Sequence, residues 1–453
     1  MAQVIVLLPE LWLMGGSILV LMAGLWLDRR VQPLLVALVL ALSFYFVRPV
    51  SGLFFDGMLV FDDLAYAIRK ILLAGTGALL LFGKSKHHRP EFYFLMIAVL
   101  TGSFFMLSVV NFLLVYLAIE LTSYGSYFLS GFRFTLKSSE SSLKYLLFGG
   151  ISSAVMLYGI SLLYGAGGGL VMTGLEDTPL VRTGLVLFMA GMLFKTSVAP
   201  LHLWVPSTYQ EAPTDAVAFF AFVPKLAAFT LMYHVYTSVS GPLAAFVLQV
   251  LMVVAILTVL WGTLAAIPQT KVKRLLAYGA IAHSGFLLPL ALQAVDTFPF
   301  VYYGAVYTVM NLGVFYFVHV NEGDVPGTLL MEKLNGRGRL APWIGVGIVV
   351  ILVSLVGLPP TGGFNAKLYL FSLVWTKFLQ TSELLWLLYF ISGIFASAVA
   401  LFYYFKIVRS YFLKEGSEGT FHASNKEILI QTIFALLLLW FFIQPDILNR
   451  FAF

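Results

Sequence analysis

The amino-acid sequence predicts an all-α polytopic membrane protein with about fourteen transmembrane helices. Two features of the composition lead to this fold class: the 453-residue chain is 60% hydrophobic and its mean hydropathy is +0.94. Charged residues make up only 11% of the chain. The third observation is that apolar runs of membrane length follow one another from end to end, with no long soluble domain between them. This composition excludes a soluble globular protein.

Each predicted helix is an apolar run of roughly 20 residues, the length that crosses about 30 Å of hydrocarbon. The runs lie near residues 4–27, 31–48, 62–82, 92–110, 112–131, 139–164, 181–207, 213–240, 244–267, 274–296, 299–320, 342–378, 384–412 and 427–447. The division near Asn111 is the weakest. Glu10 interrupts the first run and no basic segment precedes it, so we expect a retained span and not a cleaved signal peptide.

The charges between these runs predict an even number of spans with both termini on the outer side. Cytoplasmic loops are enriched in Lys and Arg, which accounts for the net charge of +6 without a nucleic-acid partner. Alternate loops are basic, and they carry Arg29/Arg30, Lys84/Lys86/Arg89, Arg133/Lys137, Lys271/Lys273/Arg274, Arg337/Arg339 and Arg409/Lys414. The loops on the opposite side carry Asp56, Asp62, Asp63, Glu176, Asp177 and Asp296.

The sequence shows no site for a cofactor or metal on this chain. It contains no cysteine, which excludes thiolate-held clusters, disulfides and cysteine-based zinc sites. The glycine-rich segment 165–169 lacks the strand before it and the helix after it that a dinucleotide-binding fingerprint requires. Neither a cluster of metal ligands nor a nucleophile triad is recognisable in the sequence.

Two of the predicted spans are interrupted near the middle of the membrane. Residues 181–207 contain Lys195 and Pro200, and residues 342–378 contain Pro359-Pro360 followed by Lys367. Paired interrupted helices point to an internal inverted repeat with an ion site at the breaks. We therefore expect four units, an N-terminal three-helix group (1–91), two five-helix repeats (92–240 and 244–412) and a C-terminal helix (427–453).

Four ionisable residues inside the spans are the main candidates for function, because charge at mid-membrane depth is costly and usually functional. Glu120 lies about 12 Å into its span at 1.5 Å per residue, and Lys195 is its expected partner. At about 4 Å and an effective dielectric near 20, their attraction is on the order of 4 kcal/mol. The pair forms either the first step of a proton relay or a static bridge between two helices.

Lys225 and Lys367 have no carboxylate at helical spacing. Burial disfavours the charged form of an unpaired amine, so a row of such lysines could exchange protons. The alternatives are that Lys225 extends to a membrane interface and that Lys367 caps carbonyls freed by the Pro-Pro break.

Three further residues are auxiliary candidates for the relay. His202 lies shortly after Lys195, and His283 lies inside the predicted span 274–296; each is either a proton carrier or a hydrogen-bonded spacer. Lys144, near the start of its span, extends to the interface or joins the relay.

The sequence contains the motifs SSLKYLLFG at 141–149, FKTSVAPLHLWVP at 194–206, YQEAPT at 209–214, VPK at 223–225, QTKVKRLLAY at 269–278 and GLPPTGGF at 357–364 with Lys367. These motifs resemble those of the antiporter-like subunits of proton-pumping NADH:quinone oxidoreductase (respiratory complex I), and those of subunit N most closely. The resemblance implies a fourteen-helix inverted-repeat fold and a relay formed by Glu120, Lys195, Lys225 and Lys367.

The same resemblance implies a function for the whole chain. It would move protons as part of an oxidoreductase, in a bacterial-type plasma membrane or an equivalent energy-transducing membrane. NAD, FMN, iron–sulfur clusters and quinone would be bound by partner subunits, and the neighbours would be other membrane subunits and lipids. The alternatives are a cation/proton antiporter subunit of the Mrp type, a pumping module of a membrane-bound hydrogenase, and a scaffold that conducts nothing.

Overall fold

The computed structural model describes residues 2–28, 31–83, 89–167, 169–293, 296–322, 329–415 and 421–452. The helices of the first half are Ala2–Val6 (α1), Leu8–Ala23 (α2), Gln32–Phe46 (α3), Asp63–Leu79 (α4), Pro90–Met106 (α5), Phe112–Ser130 (α6), Leu136–Gly167 (α7), Pro179–Thr196 (α8), Val205–Glu211 (α9) and Thr214–Ser238 (α10). Those of the second half are Gly241–Ala266 (α11), Val272–Ala291 (α12), Phe298–Glu322 (α13), Arg337–Leu340 (α14), Pro342–Val356 (α15), Gly362–Thr381 (α16), Leu384–Val408 (α17), Asn425–Ile443 (α18) and Ile447–Ala452 (α19).

The remaining regular structure is short. Strands Gly52–Phe54 (β1) and Leu59–Phe61 (β2) form an antiparallel hairpin before α4. Tight 3₁₀ turns occur at Leu80–Phe82 and Met331–Leu334, and α17 ends in a wider π turn at Arg409–Leu413. Of the predicted basic loops, Arg29, Arg30, Lys84 and Lys86 lie outside the described residues.

Nine of the described helices are long and apolar enough to cross a membrane: α4, α6, α7, α8, α10, α11, α13, α17 and α18. Four shorter apolar helices, α2, α3, α5 and α15, have 15 to 17 residues. The chain is therefore a polytopic helical membrane protein, as the composition predicted. A helix also occupies every predicted run, although fourteen as the number of spans stays a prediction.

The uncertain division near Asn111 is a true helix boundary. Helix α5 ends at Met106, and α6 begins one residue after Asn111, whose side chain accepts hydrogen bonds from the backbone amides of Leu113 and Leu114. A helix start leaves its first amide groups without partners, and an asparagine in this position supplies one. The cap therefore allows two helices to be joined within five residues.

Both predicted breaks are present. Helix α8 ends at Thr196, Ser197 adopts a left-handed conformation, and the chain turns through a cis Ala199–Pro200 bond before α9. Helix α15 ends at Val356, Gly357 is left-handed with φ of 89°, and the chain passes a cis Pro359–Pro360 bond before α16. A left-handed residue commonly ends a helix. The last carbonyl groups of any helix have no partner within the helix, so other groups must bond them.

Two helices form the centre of the bundle. The most apolar stretches of α10 and α13 are 94% buried, whereas that of α7 is only 28% buried. A helix that is buried on all sides inside a membrane protein has no lipid-facing surface on which a charged side chain could be placed. Lys225 on α10 is therefore enclosed by protein, and its role depends on its neighbours in the bundle.

Adjacent glycines on α7 give a direct test of this packing. A Cβ atom at Gly149 would lie 1.8 Å from the hydroxyl oxygen of Tyr127, whereas one at Gly150 would have no atom within 4 Å. We expect Gly149→Ala to destabilise the protein by about 1–3 kcal/mol through overpacking. Gly150→Ala, the matched control, should be neutral or slightly stabilising, since alanine favours a helix. Thermal unfolding in detergent measures both, and equal stability of the two variants would contradict the packing.

Candidate functional site

Lys195 lies in the last turn of α8, immediately before the first break, and is only 2% exposed. The negative end of a helix dipole favours a cation in this position. Its ammonium group donates a hydrogen bond of 3.1 Å to the Ser123 hydroxyl on α6 and lies 5.9 Å from the centre of the Tyr145 ring. The lysine is thus buried, with one polar partner and one aromatic neighbour.

An aromatic stack fixes the surroundings of Lys195. The rings of Tyr145 and Trp204 are parallel with centres 4.0 Å apart, so they join α7 to the segment after the break. The indole nitrogen of Trp204 donates a hydrogen bond of 3.2 Å to the carbonyl of Phe194. The segment that follows the break therefore folds back onto the end of α8 and encloses the lysine.

Glu120 is half-buried on α6, next to residues that face outward. Its carboxylate accepts a short hydrogen bond from the Ser153 hydroxyl on α7. No ion pair within 4.0 Å joins Glu120 to Lys195 in the described part of the chain, although the charge of Glu120 acts on Lys195. The two side chains do not contact each other directly: Ser153 contacts the carboxylate, and Ser123, one turn along α6, contacts the ammonium.

Lys225 is 1% exposed and directly follows Pro224, which interrupts the hydrogen bonding of α10. Its ammonium donates hydrogen bonds to the Ala280 carbonyl on α12 at 2.9 Å and to the Tyr307 hydroxyl on α13 at 3.3 Å. The alternative in which Lys225 extends to a membrane interface is wrong, because these partners hold it inside the bundle.

His283 on α12 lies between two lysines. Its Nδ1 atom is hydrogen-bonded to the Tyr303 hydroxyl at 2.9 Å, and its ring is 5.3 Å from that of Tyr307. The charges of Lys225 and Lys367 both act on it. Tyr307 therefore contacts Lys225 and adjoins His283, and a second tyrosine, Tyr303, is hydrogen-bonded to the imidazole.

Lys367 is in the second turn of α16, 4% exposed, and points back to the end of α15. Its ammonium donates to the carbonyl of Val356 at 2.6 Å and to the Ser397 hydroxyl at 3.1 Å, and lies 4.6 Å from the centre of the Phe286 ring. A Cβ atom at residue 357 would meet the lysine side chain at 2.5 Å, so Gly357 is needed there. The carbonyl-capping contact considered for Lys367 is present.

The two breaks therefore share one physical arrangement. Lys195 precedes its break and lies in the last turn of the first half-helix, α8. Lys367 follows its break, but its ammonium group donates hydrogen bonds to the terminal carbonyls of the first half-helix, α15. The negative end of a helix and its free carbonyls favour the charged form of an amine that burial alone would disfavour.

The auxiliary candidates differ in position. His202 is 4% exposed in the segment after the first break; its ring is 5.8 Å from that of Trp261, and its Nδ1 atom has no hydrogen-bond partner in the described structure. Lys144 is on the outer face of α7 and pairs with Glu140 one turn earlier at 2.6 Å. Both of these side chains are more than half exposed, so the structure places Lys144 apart from the buried lysines.

Sequence reasoning missed two further buried charge clusters. Lys273, interpreted as a loop residue, is 2% exposed; its ammonium donates to the Ala212 carbonyl at 2.7 Å and lies 3.7 Å from Glu322. Arg133 reaches the same carboxylate at 2.9 Å, so two of the predicted basic loops meet at one end of the molecule. No signal in the sequence separates Lys273 from the loop; the structure shows that α12 begins at Val272 and includes Lys273.

The second missed cluster lies towards the other end of the bundle. Arg69 on α4 and Glu10 on α2 form a fully buried ion pair at 2.5 Å, and Arg69 also donates to the Ser108 hydroxyl at 2.8 Å. In the sequence, Glu10 indicates only that the first apolar run is not a signal peptide, and nothing there identifies Arg69 as its partner. Within the described ranges, no group of three or more His, Asp or Glu side chains is arranged to hold a metal ion.

A substitution at Ser123 tests whether the hydrogen bond from Lys195 affects the rate of proton transfer. A hydrogen bond from a charged donor is worth about 1.5–3 kcal/mol, so Ser123→Ala should slow any proton transfer through Lys195 by about tenfold or more. Ser103→Ala is the matched control, because among the described residues that buried hydroxyl bonds only the Val99 carbonyl of its own helix. The initial rate of vesicle acidification measures both variants. Equal rates would show that Ser123 does not position the lysine.

Comparison with known proteins places this site in a family. The sequence model described as "NADH:quinone oxidoreductase/Mrp antiporter, TM" matches residues 109–402, which is more than half of the chain. The chain belongs to this family. The match contains Glu120, Lys195, Lys225 and Lys367, and both helix breaks.

Individual members of the oxidoreductase/antiporter family are similar over almost the whole chain. NADH-quinone oxidoreductase subunit N of Granulibacter bethesdensis is 32% identical, over 96% of this chain and 95% of the relative. A chain of respiratory complex I from Thermus thermophilus has a TM-score of 0.85 at 28% identity, covering 98% of this chain and 99% of that one. A chain of the Mrp complex from Dietzia sp. has a TM-score of 0.83 at 17% identity, covering 99% and 96%, and shows a common fold alone.

Proposed function

We propose that this chain is a proton-translocating membrane subunit of an oxidoreductase that passes electrons from NADH, or a related donor, to quinone. The observation that carries the proposal is the similarity of almost the whole chain to NADH-quinone oxidoreductase subunit N. The three lysines enclosed in the bundle support it. Buried lysines without a paired carboxylate are too costly to be expected in a purely structural role. The redox chemistry would take place on other subunits.

The proposed architecture has fourteen spans, with 1–91 as an N-terminal group, 92–240 and 244–412 as inverted repeats, and 427–453 as a C-terminal helix. The similarity of the two breaks supports the repeats: Lys195 lies in the last turn of α8, and the Lys367 ammonium group bonds a terminal carbonyl of α15. Inverted repeats built around broken helices commonly hold the transported ion at the break. Both termini would lie on the outer side of a bacterial-type plasma membrane or its equivalent.

In the proposed relay, protons move from the neighbourhood of Lys195 through Lys225 to Lys367. The charge of Glu120 stabilises the Lys195 ammonium, and their attraction is about 4 kcal/mol at roughly 4 Å and about half that at twice the distance. A shift of α6 or α7 that draws Glu120 away would weaken this attraction and favour release of the proton. Because Ser123 uses one of three ammonium donors, two remain for water.

The second half of the relay rests on a set of contacting polar groups. Lys225 donates to Tyr307, whose ring lies beside His283, and the His283 imidazole feels the charges of both Lys225 and Lys367. Imidazole and phenol groups can each accept and donate protons through hydrogen bonds. His283 would therefore carry the proton between the two lysines. His202, with its unpartnered nitrogen, would serve the uptake side, and Lys144 would contribute least.

We propose that neighbouring membrane subunits and lipids surround the chain, and that NAD, FMN, iron–sulfur clusters and quinone are bound by partner subunits. Movement or charge transmitted from those subunits would shift Glu120. The half-buried position of Glu120, beside exposed residues of α6 such as Leu117 and Leu121, supports this coupling because a neighbour can reach it.

An Mrp-type antiporter subunit and a hydrogenase pumping module are the alternatives, and both would use the same buried lysines. Co-purification separates them. A tagged chain extracted in mild detergent should bring with it iron–sulfur and quinone-binding proteins and NADH oxidation activity. Recovery of small antiporter subunits without flavin or iron would contradict the proposal and favour the alternative. A tag on an unrelated membrane protein controls for carry-over.

A further inference from the structure

A cavity of about 370 Å³ lies where helices α11 and α17 end. Its lining residues do not include the buried lysines Lys195, Lys225 and Lys367, which form the lysine row. Three cations line the cavity: Lys406 from α17, Arg409 from the π turn, and Lys414 just after that turn. Glu332 is the one acidic residue among its lining residues. The cavity therefore carries an excess of positive charge at the end of two membrane-spanning helices.

Hydrogen bonds hold the walls of this cavity in place. The amide of Met331 donates to the Thr270 carbonyl at 3.0 Å, which ties the segment after α13 to the α11–α12 connection. The amide of Gly336 donates to the Ser410 carbonyl at 3.2 Å and so fixes the π turn. Lys406 donates to the carbonyl of Ile267 at the end of α11. The cations are thus presented by a structured rim and not by a free tail.

The position of the cavity places it at the membrane interface. The described spans α11 and α17 both reach their carboxyl ends there, and Lys406 joins those two ends directly. One turn before the cavity, each helix turns an apolar side chain outward: Leu264 is 49% exposed and Phe402 is 72% exposed. A cationic recess above exposed apolar side chains has the chemistry of a phospholipid, a phosphate above acyl chains.

We propose that this cavity binds the phosphate group of an anionic phospholipid whose acyl chains lie along α11 and α17. Arg409 and Lys414 are exposed and contact the phosphate, and Lys406 contributes donors beyond the one used on Ile267. The Glu332 carboxylate repels a negative headgroup, so the phosphate must lie on the side of the cavity that carries the three cations. A zwitterionic lipid gains less, because its own cation cancels part of the attraction.

The test uses the intact membrane assembly that contains the chain, reconstituted in equal amounts of phosphatidylglycerol and phosphatidylcholine. Native mass spectrometry then counts the lipids that remain bound. Each cation near an anionic headgroup contributes about fivefold, so Arg409→Gln with Lys414→Gln should lower retention of phosphatidylglycerol relative to phosphatidylcholine by about 30-fold. Neither substitution removes a side-chain hydrogen bond within the described structure, so the fold should persist.

The matched control, Lys137→Gln with Lys426→Gln, removes the same charge from exposed positions elsewhere and should retain lipid as the unchanged protein does. Equal retention in the cavity variant and the unchanged protein would overturn the proposal. So would equal retention of both lipids by the unchanged protein. A photo-crosslinker at Leu413 should label lipid, whereas exclusive labelling of a partner subunit would show that protein fills the cavity.

Discussion

Replacement of Lys195 by methionine should abolish proton pumping while the protein still folds and assembles. Methionine keeps the length of the side chain but removes the charge, and because no carboxylate lies within 4.0 Å of Lys195 in the described structure, no buried counter-charge is left unpaired. A positioned acid–base group contributes about 100-fold or more, so acidification of vesicles should fall to background. The measurement is the initial rate of acidification, with the amount of assembled protein determined in parallel.

The control for this variant is Lys137→Met, which removes a cation from an exposed position and should pump normally. Lys195→Arg separates two explanations of a defect, because arginine keeps the charge but does not release its proton in proteins. Pumping should be lost in the arginine variant as well. Normal pumping with methionine at residue 195 would show that the lysine is not in the path.

The largest effect on stability is expected at the ion pair between Glu10 and Arg69. Arg69→Met leaves a carboxylate buried without a cation, which costs about 3–5 kcal/mol, and Glu10→Met leaves the guanidinium group in the same state. The double variant should recover most of the loss, since it removes both charges together. Unfolding by denaturant in detergent micelles, completed as a double-mutant cycle, gives the interaction energy.

This pair is expected to be structural because Arg69 is held on several sides. It contacts Ser108 and lies 4.5 Å from the centre of the Phe61 ring, and no hydrogen bond connects it to the lysine row in the described ranges. Single variants that folded should therefore still pump. If the free energies of unfolding of both single variants lay within about 1 kcal/mol of that of the unchanged protein, water would have to reach the pair, and the structural role would be contradicted.

The sequence was sufficient to predict the fold class and the burial of three lysines. Lys195, Lys225 and Lys367 lie deep within apolar runs, and depth in a membrane span is set by counting residues. Proline marked both breaks, Pro200 at the first and Pro359-Pro360 at the second, because proline interrupts the hydrogen bonding of a helix. The roles of the four relay residues, in contrast, stay predictions.

The partners of the buried charges could not be predicted. Ser123 and Ser153 contact Lys195 and Glu120, but a serine in an apolar helix gives no signal, since its hydroxyl more often bonds its own helix. The contact between Arg69 and Glu10 joins residues 59 positions apart, and that requires knowledge of which helices are adjacent. Lys273 was misplaced because the basic-loop rule assigns a side and not a depth.

The buried groups of the second half lie close to one another, whereas the first half shows a gap. Lys225, His283 and Lys367 are all buried inside the protein, and the charges of both lysines act on His283. Lys195 and Lys225 share no hydrogen-bonding partner in the described structure, so proton transfer between them would need water or a change in conformation.

The central claim is that protons cross the membrane through the buried lysine row of this chain. The most direct measurement is the number of protons pumped per NADH oxidised by the assembly in sealed vesicles, with Lys225→Met compared with Lys137→Met. The Lys225 variant should pump fewer protons per NADH than the control, or stop oxidising NADH if the steps are tightly coupled. If the number of protons per NADH and the rate of NADH oxidation both equalled those of the control, the claim would be contradicted. The chain would then be a scaffold that conducts no protons.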